Sequence, residues 1–356
     1  MKITKQTHGA KALKRTAIAL ALAAVAAPSF AALQLSAAYQ DAALSIDGWG
    51  GSGVGALSVD TPAGSEVLKA YLYASDVWGS GLRDVTLAGN ALSTATGTLL
   101  TPNVNPANTM RWDVTSFMKP LIESTFGLQT FTYSEIESMD GAVLVVVYKH
   151  ASTAGGTAII MDGELATTGD STTLGFASPY ASGDVIMSLA SSYSYNGGST
   201  TNTSGQVTTV DVVTSSTASR RLTSCAGGND DGNFVAANGS LMTVGGIGDS
   251  TANPDPNCAG GAGDDELYNL ALGNSADATP FLKAGDTSIT FNTRNPTNDD
   301  NVFFLGFTTT FKVSQVNDDD IDDDNDVPEP GVLALLGLGL VGLYGARHRR
   351  STIAAR

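Results

Sequence analysis

Between residues 32 and 315 the chain repeats on the two-residue period of a β-strand. Leu68, Ala70, Leu72 and Ala74 fall on one side of a pleated segment, and Val67, Lys69, Tyr71 and Tyr73 on the other. The same alternation sets Phe303, Leu305, Phe307, Phe311 and Val313 against Thr308, Thr310 and Lys312. Residues 142–148 are apolar at every position, which predicts a central strand covered on both faces. Further strands are predicted at 54–59, 84–87, 157–161, 184–189, 207–213, 241–244 and 288–293. Turn residues separate them, for example Gly89-Asn90, Asp162-Gly163 and Gly285-Asp286. The one helical turn predicted lies around 116–123 and carries Pro120. Residues 191–205 are poor in apolar side chains and read as a long exposed loop.

Many short strands without alternating helices predict an all-β fold, either one large or two tandem jelly-roll-like β-sandwiches. Two are preferred, at 32–150 and 151–316, with the break in the small-residue run 151–156. Composition agrees: 40 glycines and 15% charged residues among 356 suit strands and turns better than long helices.

Charge is distributed unevenly. Lys2, Lys5, Lys11, Lys14 and Arg15 precede an apolar run at 16–27, and small residues follow at Ser29 and Ala31, with cleavage expected before Ala32. Residues 1–31 therefore read as a signal peptide that engages the Sec export machinery. Arg347, Arg349, Arg350 and Arg356 sit at the other end. With both basic ends set aside, ten Lys and Arg face 35 Asp and Glu. Such an acidic body excludes nucleic acid as a partner, since phosphate binding needs clustered cations.

The C-terminal region joins three features. Val327-Pro328-Glu329-Pro330 is followed by an apolar stretch at 332–346 and then by Arg347, Arg349 and Arg350. A 15-residue helix spans only about 22 Å, short of a hydrocarbon core of roughly 30 Å, so it would insert transiently or marginally. The arginines would hold its end on the cytoplasmic side. This tail, 328–356, resembles the PEP-CTERM sorting signal. The resemblance implies recognition by a membrane-embedded exosortase, cleavage near the motif, and delivery from a Gram-negative bacterium to its surface or matrix. The same short signature occurs at the end of some ice-binding proteins. Ahead of it, residues 317–327 carry a run of aspartates that reads as a self-repelling, extended stalk.

The body offers little to a nucleophile and base, because His150 is its single histidine and no nucleophile elbow accompanies it. Gly48-Trp49-Gly50-Gly51-Ser52-Gly53 matches a dinucleotide pattern in letters, but it leads into a strand where a helix is needed and so reads as a turn. Cys225 and Cys258, in an exported chain, are expected to form a disulfide worth about 3–4 kcal/mol. That bond would draw Asp230 and Asp231 toward Asp264, Asp265 and Glu266. With Asp299 and Asp300, these hard oxygen donors suit a structural Ca²⁺.

The segments 264–270 and 295–304, together with Arg111-Trp112-Asp113-Val114-Thr115 and the strand at 141–148, resemble secreted bacterial surface proteins of adhesin-like β-sandwich type. That resemblance implies an extracellular β domain with no catalytic site to transfer. The expected role is structural or adhesive and non-enzymatic. The alternatives are a polysaccharide-binding module using Trp49, Trp78 and Trp112, an ice-binding protein, and a glycosidase working through paired carboxylates.

Overall fold

The computed structural model describes residues 33–321, apart from 52, 78–80, 101–106, 137–138, 167, 193–207, 227–240, 258–265, 296–300 and 318. Its strands form four sheets, and three apolar layers between them give the stacking order.

Sheet I holds β15 (Arg220–Ala226), β14 (Thr208–Thr214), β18 (Ser288–Arg294), β12 (Asp170–Phe176), β20 (Val313–Val316) and β21 (Asp319–Asp320) in that order. Sheet II holds β1 (Gln34–Gln40), β11 (Thr157–Asp162), β19 (Asn301–Thr309), β13 (Val185–Ser192) and β16 (Met242–Val244), and β17 (Leu267–Asn269) also pairs with β13. Sheet III runs β2 (Ala42–Trp49), β10 (Gly141–Lys149), β4 (Glu66–Val77), β8 (Ala107–Asp113) and β7 (Thr98–Leu99). Sheet IV runs β3 (Val54–Thr61), β9 (Gly127–Ser134), β5 (Val85–Leu87) and β6 (Asn90–Leu92).

Leu174, Val212 and Phe291 of sheet I meet Ile159, Leu189 and Phe307 of sheet II in the first layer. Sheets III and IV enclose another, where Leu72, Leu144 and Trp112 face Leu57, Leu87 and Tyr133. Between these two sandwiches, sheets II and III pack on each other through Ile160, Phe303 and Phe304 against Tyr73, Val143 and Val145. Strands β10 and β11 are therefore covered on both faces, which is why residues 142–148 need no polar side. The all-β sandwich predicted from periodicity is the fold observed.

Three local departures have physical causes. The alternation expected through Leu68 breaks because β4 is irregular there: Val147 pairs with Lys69 but Tyr148 pairs with Val67. One residue is skipped, so Val67 joins Ala70 and Leu72 in the outer layer while Leu68 turns toward the middle one. The predicted strand through Val313 is two strands, β19 and β20, interrupted at 310–312. The stalk expected from residue 317 begins folded: Asn317 adopts a left-handed conformation and lets Asp319 pair with Val316, and Ile321 packs on the first layer. The helix, α1 (Thr115–Glu123), forms despite Pro120 because Met118 and Ile122 are buried beneath sheet III.

Consecutive strands divide between the sandwiches at the start of the chain. β1 pairs with β11 in sheet II, whereas β2, reached through a turn at Asp41, pairs with β10 in sheet III. The register also fixes two ends. Gln34, Ser75, Asp162, Ser192 and Asn301 lie at one end, and the long connections 193–207, 227–240 and 296–300 start and finish there. At the other end are tight turns, including the 3₁₀ turn Ala151–Thr153 capped by His150, and from there the described chain departs beyond β21.

Candidate functional site

The residues of greatest chemical interest stand where the middle layer reaches the loop-bearing end. There, side chains that face each other across sheets II and III change from apolar to polar.

Tyr73 on β4 and Arg111 on β8 project from sheet III toward Asp162 at the end of β11. The Tyr73 hydroxyl donates to Asp162 Oδ2 at 2.8 Å, and an Arg111 guanidinium nitrogen reaches the same oxygen at 2.5 Å. Arg111 also donates to the Ser36 hydroxyl and stacks over the Tyr71 ring at 5.3 Å. Burial pushes the Asp162 carboxyl above its ordinary range, with Arg111 pulling the other way. Burial works against the Arg111 charge, but Asp162, with Tyr73 and Tyr71 beside it, outweighs that cost and holds the guanidinium firmly protonated. Burial, joined by the Asp162 charge, drives the Tyr73 hydroxyl well up, so it remains a donor.

Two residues beyond Asp162, Glu164 is 1% exposed. The Asn301 amide and the Thr109 N–H lie toward it and oppose the shift, but neither closes a hydrogen bond of ordinary geometry on its carboxyl oxygens. Burial raises its pKa to about 9. Asn301 Nδ2 donates to Thr109 Oγ1 at 3.4 Å, and Thr109 Oγ1 is 2.7 Å from Ser75 Oγ. Ser192 is the direct cross-strand neighbour of Asn301, and both are fully buried.

A second buried acid lies at the same end of the outer layer between sheets III and IV. Tyr133 donates to Glu135 Oε2 at 2.5 Å. Burial raises Glu135 to about 8, and the Asp140 charge adds to that.

The residues singled out by sequence are distributed differently. Trp49 and Trp112 are core side chains: Trp49 packs on Tyr133 with centroids 5.9 Å apart, and Trp112 is 2% exposed with its Nε1 donating to Ser93 O. Neither is free to act as a sugar platform, which corrects that expectation, and Trp78 lies outside the described residues. Of the Gly48–Gly53 run, Gly48 and Trp49 still belong to β2 and the rest leads to β3, where a Cβ at Gly55 would collide with the Trp49 indole. His150 is engaged through Nδ1 with Ser152.

Among the proposed calcium ligands only Glu266 is described. It is buried, with positive φ, and accepts from Thr243 Oγ1 at 2.5 Å. Asp230, Asp231, Asp264, Asp265, Asp299 and Asp300 lie outside the described residues. So do Cys258, the cleavage residues Ser29, Ala31 and Ala32, and the tail residues Val327, Pro328, Glu329, Pro330, Arg347, Arg349 and Arg350. Cys225 belongs to β15. Among the described residues no helix is long and apolar enough to cross a membrane, and the apolar stretch 332–346 is not among them.

A family model decides the nature of that tail. Residues 326–350 match the PEP-CTERM protein-sorting motif. A PEP-CTERM tail implies processing by an exosortase-type enzyme and export to the cell envelope or surface of a Gram-negative bacterium. No curated protein matches the chain. Among solved structures, that of Sulfolobus turreted icosahedral virus is 9% identical, covering 88% of this chain and 98% of its own, with a TM-score of 0.20. The major capsid protein P2 of bacteriophage PM2 is 11% identical over 77% of this chain and 98% of its own, again at 0.20. A TM-score of that size does not establish a shared fold.

Proposed function

We propose that this is a non-catalytic structural or adhesive protein of the bacterial surface or extracellular matrix, delivered there by way of its PEP-CTERM tail. The observation that carries the reading is the match over residues 326–350 at the end of an exported, acidic, all-β chain. The fold's polarity supports it. The described chain ends beyond β21 at the tight-turn end, opposite the strand ends that flank residues 193–207, 227–240 and 296–300. Intact-mass analysis of the protein from each fraction of its native host tests the proposal. A C-terminus near Pro330 is expected, and recovery of the complete tail in the inner membrane alone would overturn it.

A second reading, binding of a matrix polysaccharide, is favoured by a cleft rather than by tryptophan. A cavity of about 260 Å³ lined by Leu44, Ile46, Asp60 and Tyr148 adjoins another of about 480 Å³ that shares Asp60 and Tyr148 and adds Phe126. An exposed carboxylate beside aromatic rings suits a sugar, which offers hydroxyls at its rim and C–H groups on its face. Tyr148→Ala is expected to weaken pull-down of the host's exopolysaccharide at least tenfold. Equal recovery of variant and native protein would remove this reading.

A further inference from the structure

The cleft that carries Asp60 and Tyr148 is one-sided in charge. Asp60 lines both of its cavities, and among the described residues in either lining it is the one charged group. Its side chain is exposed, and no Lys or Arg among the described residues pairs with it.

Strands hold this rim in place. Asp60 stands near the end of β3, where its N–H donates to Ser45 Oγ of β2 at 2.9 Å, and Tyr148 stands near the end of β10. Burial, joined by the Asp60 charge, raises the Tyr148 phenol, so the ring and the carboxylate are neighbours. Phe126, in the connection from α1 to β9, adds a second ring to the larger cavity.

The chemistry of an occupant follows from the lone carboxylate. A neutral sugar seated there would replace its water with hydroxyls alone, which leaves a partly covered charge without a counter-charge. A uronate would bring a second negative charge and be repelled. A free ammonium answers Asp60 with a charge-assisted hydrogen bond and is also attracted to the faces of the two aromatic rings. The surroundings act in the same sense, because ten Lys and Arg face 35 Asp and Glu once the basic ends are set aside.

We propose that the cleft takes an amino sugar of a matrix polysaccharide, a hexosamine unit whose nitrogen is free rather than acetylated, with Asp60 pairing the ammonium and Tyr148 and Phe126 flanking the sugar ring. This rests on the polysaccharide reading above and names the class of sugar.

Isothermal titration of the full-length protein tests it with hexamers of glucosamine, N-acetylglucosamine and a uronic acid, at about 0.15 M salt to screen longer-range attraction. The glucosamine hexamer is expected to bind at least about tenfold more tightly than the acetylated one, and the uronate not to bind. Asp60→Asn, at an exposed position, is expected to bring the glucosamine hexamer down to the affinity of the acetylated one, whereas Tyr148→Ala weakens both. Equal affinity for the two hexamers, both weakened by Tyr148→Ala, would overturn the amino-sugar assignment and leave polysaccharide binding standing. A preference for the amine that Asp60→Asn does not diminish would overturn the assignment too, since the attraction would then come from the acidic body as a whole. If no hexamer binds, the assignment falls. Recovery of the host's exopolysaccharide that Tyr148→Ala abolishes would in that case keep the broader reading, and recovery indifferent to Tyr148 would remove it as well.

Discussion

Two buried carboxylates at the same end of the molecule solve the cost of burial in opposite ways. Asp162, in the middle layer, is faced by a cation and a phenol, Arg111 and Tyr73. Glu135, in the outer layer, has the Tyr133 phenol, and the one charge that acts on it among the described residues, Asp140, is of its own sign. The first can carry charge inside the protein. The second is held in the acid form until about pH 8. The difference falls where the two sandwiches meet. The Asp162–Arg111 pair crosses from sheet II to sheet III and so adds a directional contact to one otherwise made by apolar packing.

The contrast can be broken most severely from the Asp162 side. Asp162→Ala strands the Arg111 charge in the interior and is expected to destabilise the protein by about 3–5 kcal/mol, read from denaturant unfolding. A smaller loss, on the order of 2–4 kcal/mol, is expected from pH acting on Glu135. Its native pKa of about 8 lies above the ordinary 4.5, so the unfolded chain sheds the proton first. That contribution to stability is full below about pH 4.5, falls as pH rises to about 8, and is flat beyond it. Glu135→Gln should flatten this part of the profile, and an unchanged slope would show that Glu135 is not the group responsible. The smallest effect is expected from Tyr73→Phe, about 1 kcal/mol, because Arg111 still holds the oxygen that loses its phenol. A loss as large as that of Asp162→Ala would mean that the phenol, rather than the guanidinium, carries the pair.

Much of the architecture was legible because its signals are local. The run 142–148 announces a strand covered on both sides, and Pro328-Glu329-Pro330 with its arginines announces a sorting tail within some twenty-five residues. What could not be read depends on pairing at a distance. Tyr73 and Asp162 are separated by 89 positions, and nothing in either neighbourhood names the other. Glu164 reads as one more acid after a turn, and only the docking of sheet III upon sheet II encloses it. The tryptophans misled for a related reason. A large aromatic beside glycines suits a binding surface or a core equally well, and the register decides, since Trp112 alternates with Arg111 and so faces the outer layer. At Leu68 one skipped residue exchanges the two faces of a strand without any mark in composition.

The assignment of β1 to sheet II has a consequence for the order of events during export. β1 precedes every other described strand in the chain, yet its partner β11 comes only after all the strands of sheets III and IV. β2, β3 and β4 can begin to associate with β9 and β10, but the second sandwich lacks its edge until the opening residues fold back onto it. A fragment beginning at residue 151 would therefore expose the free side of β11, an invitation to borrow a strand from another copy. In the intact chain β1 closes that side of β11, and the turn at Asp41 carries the chain straight on into sheet III, so one short segment belongs to both sandwiches.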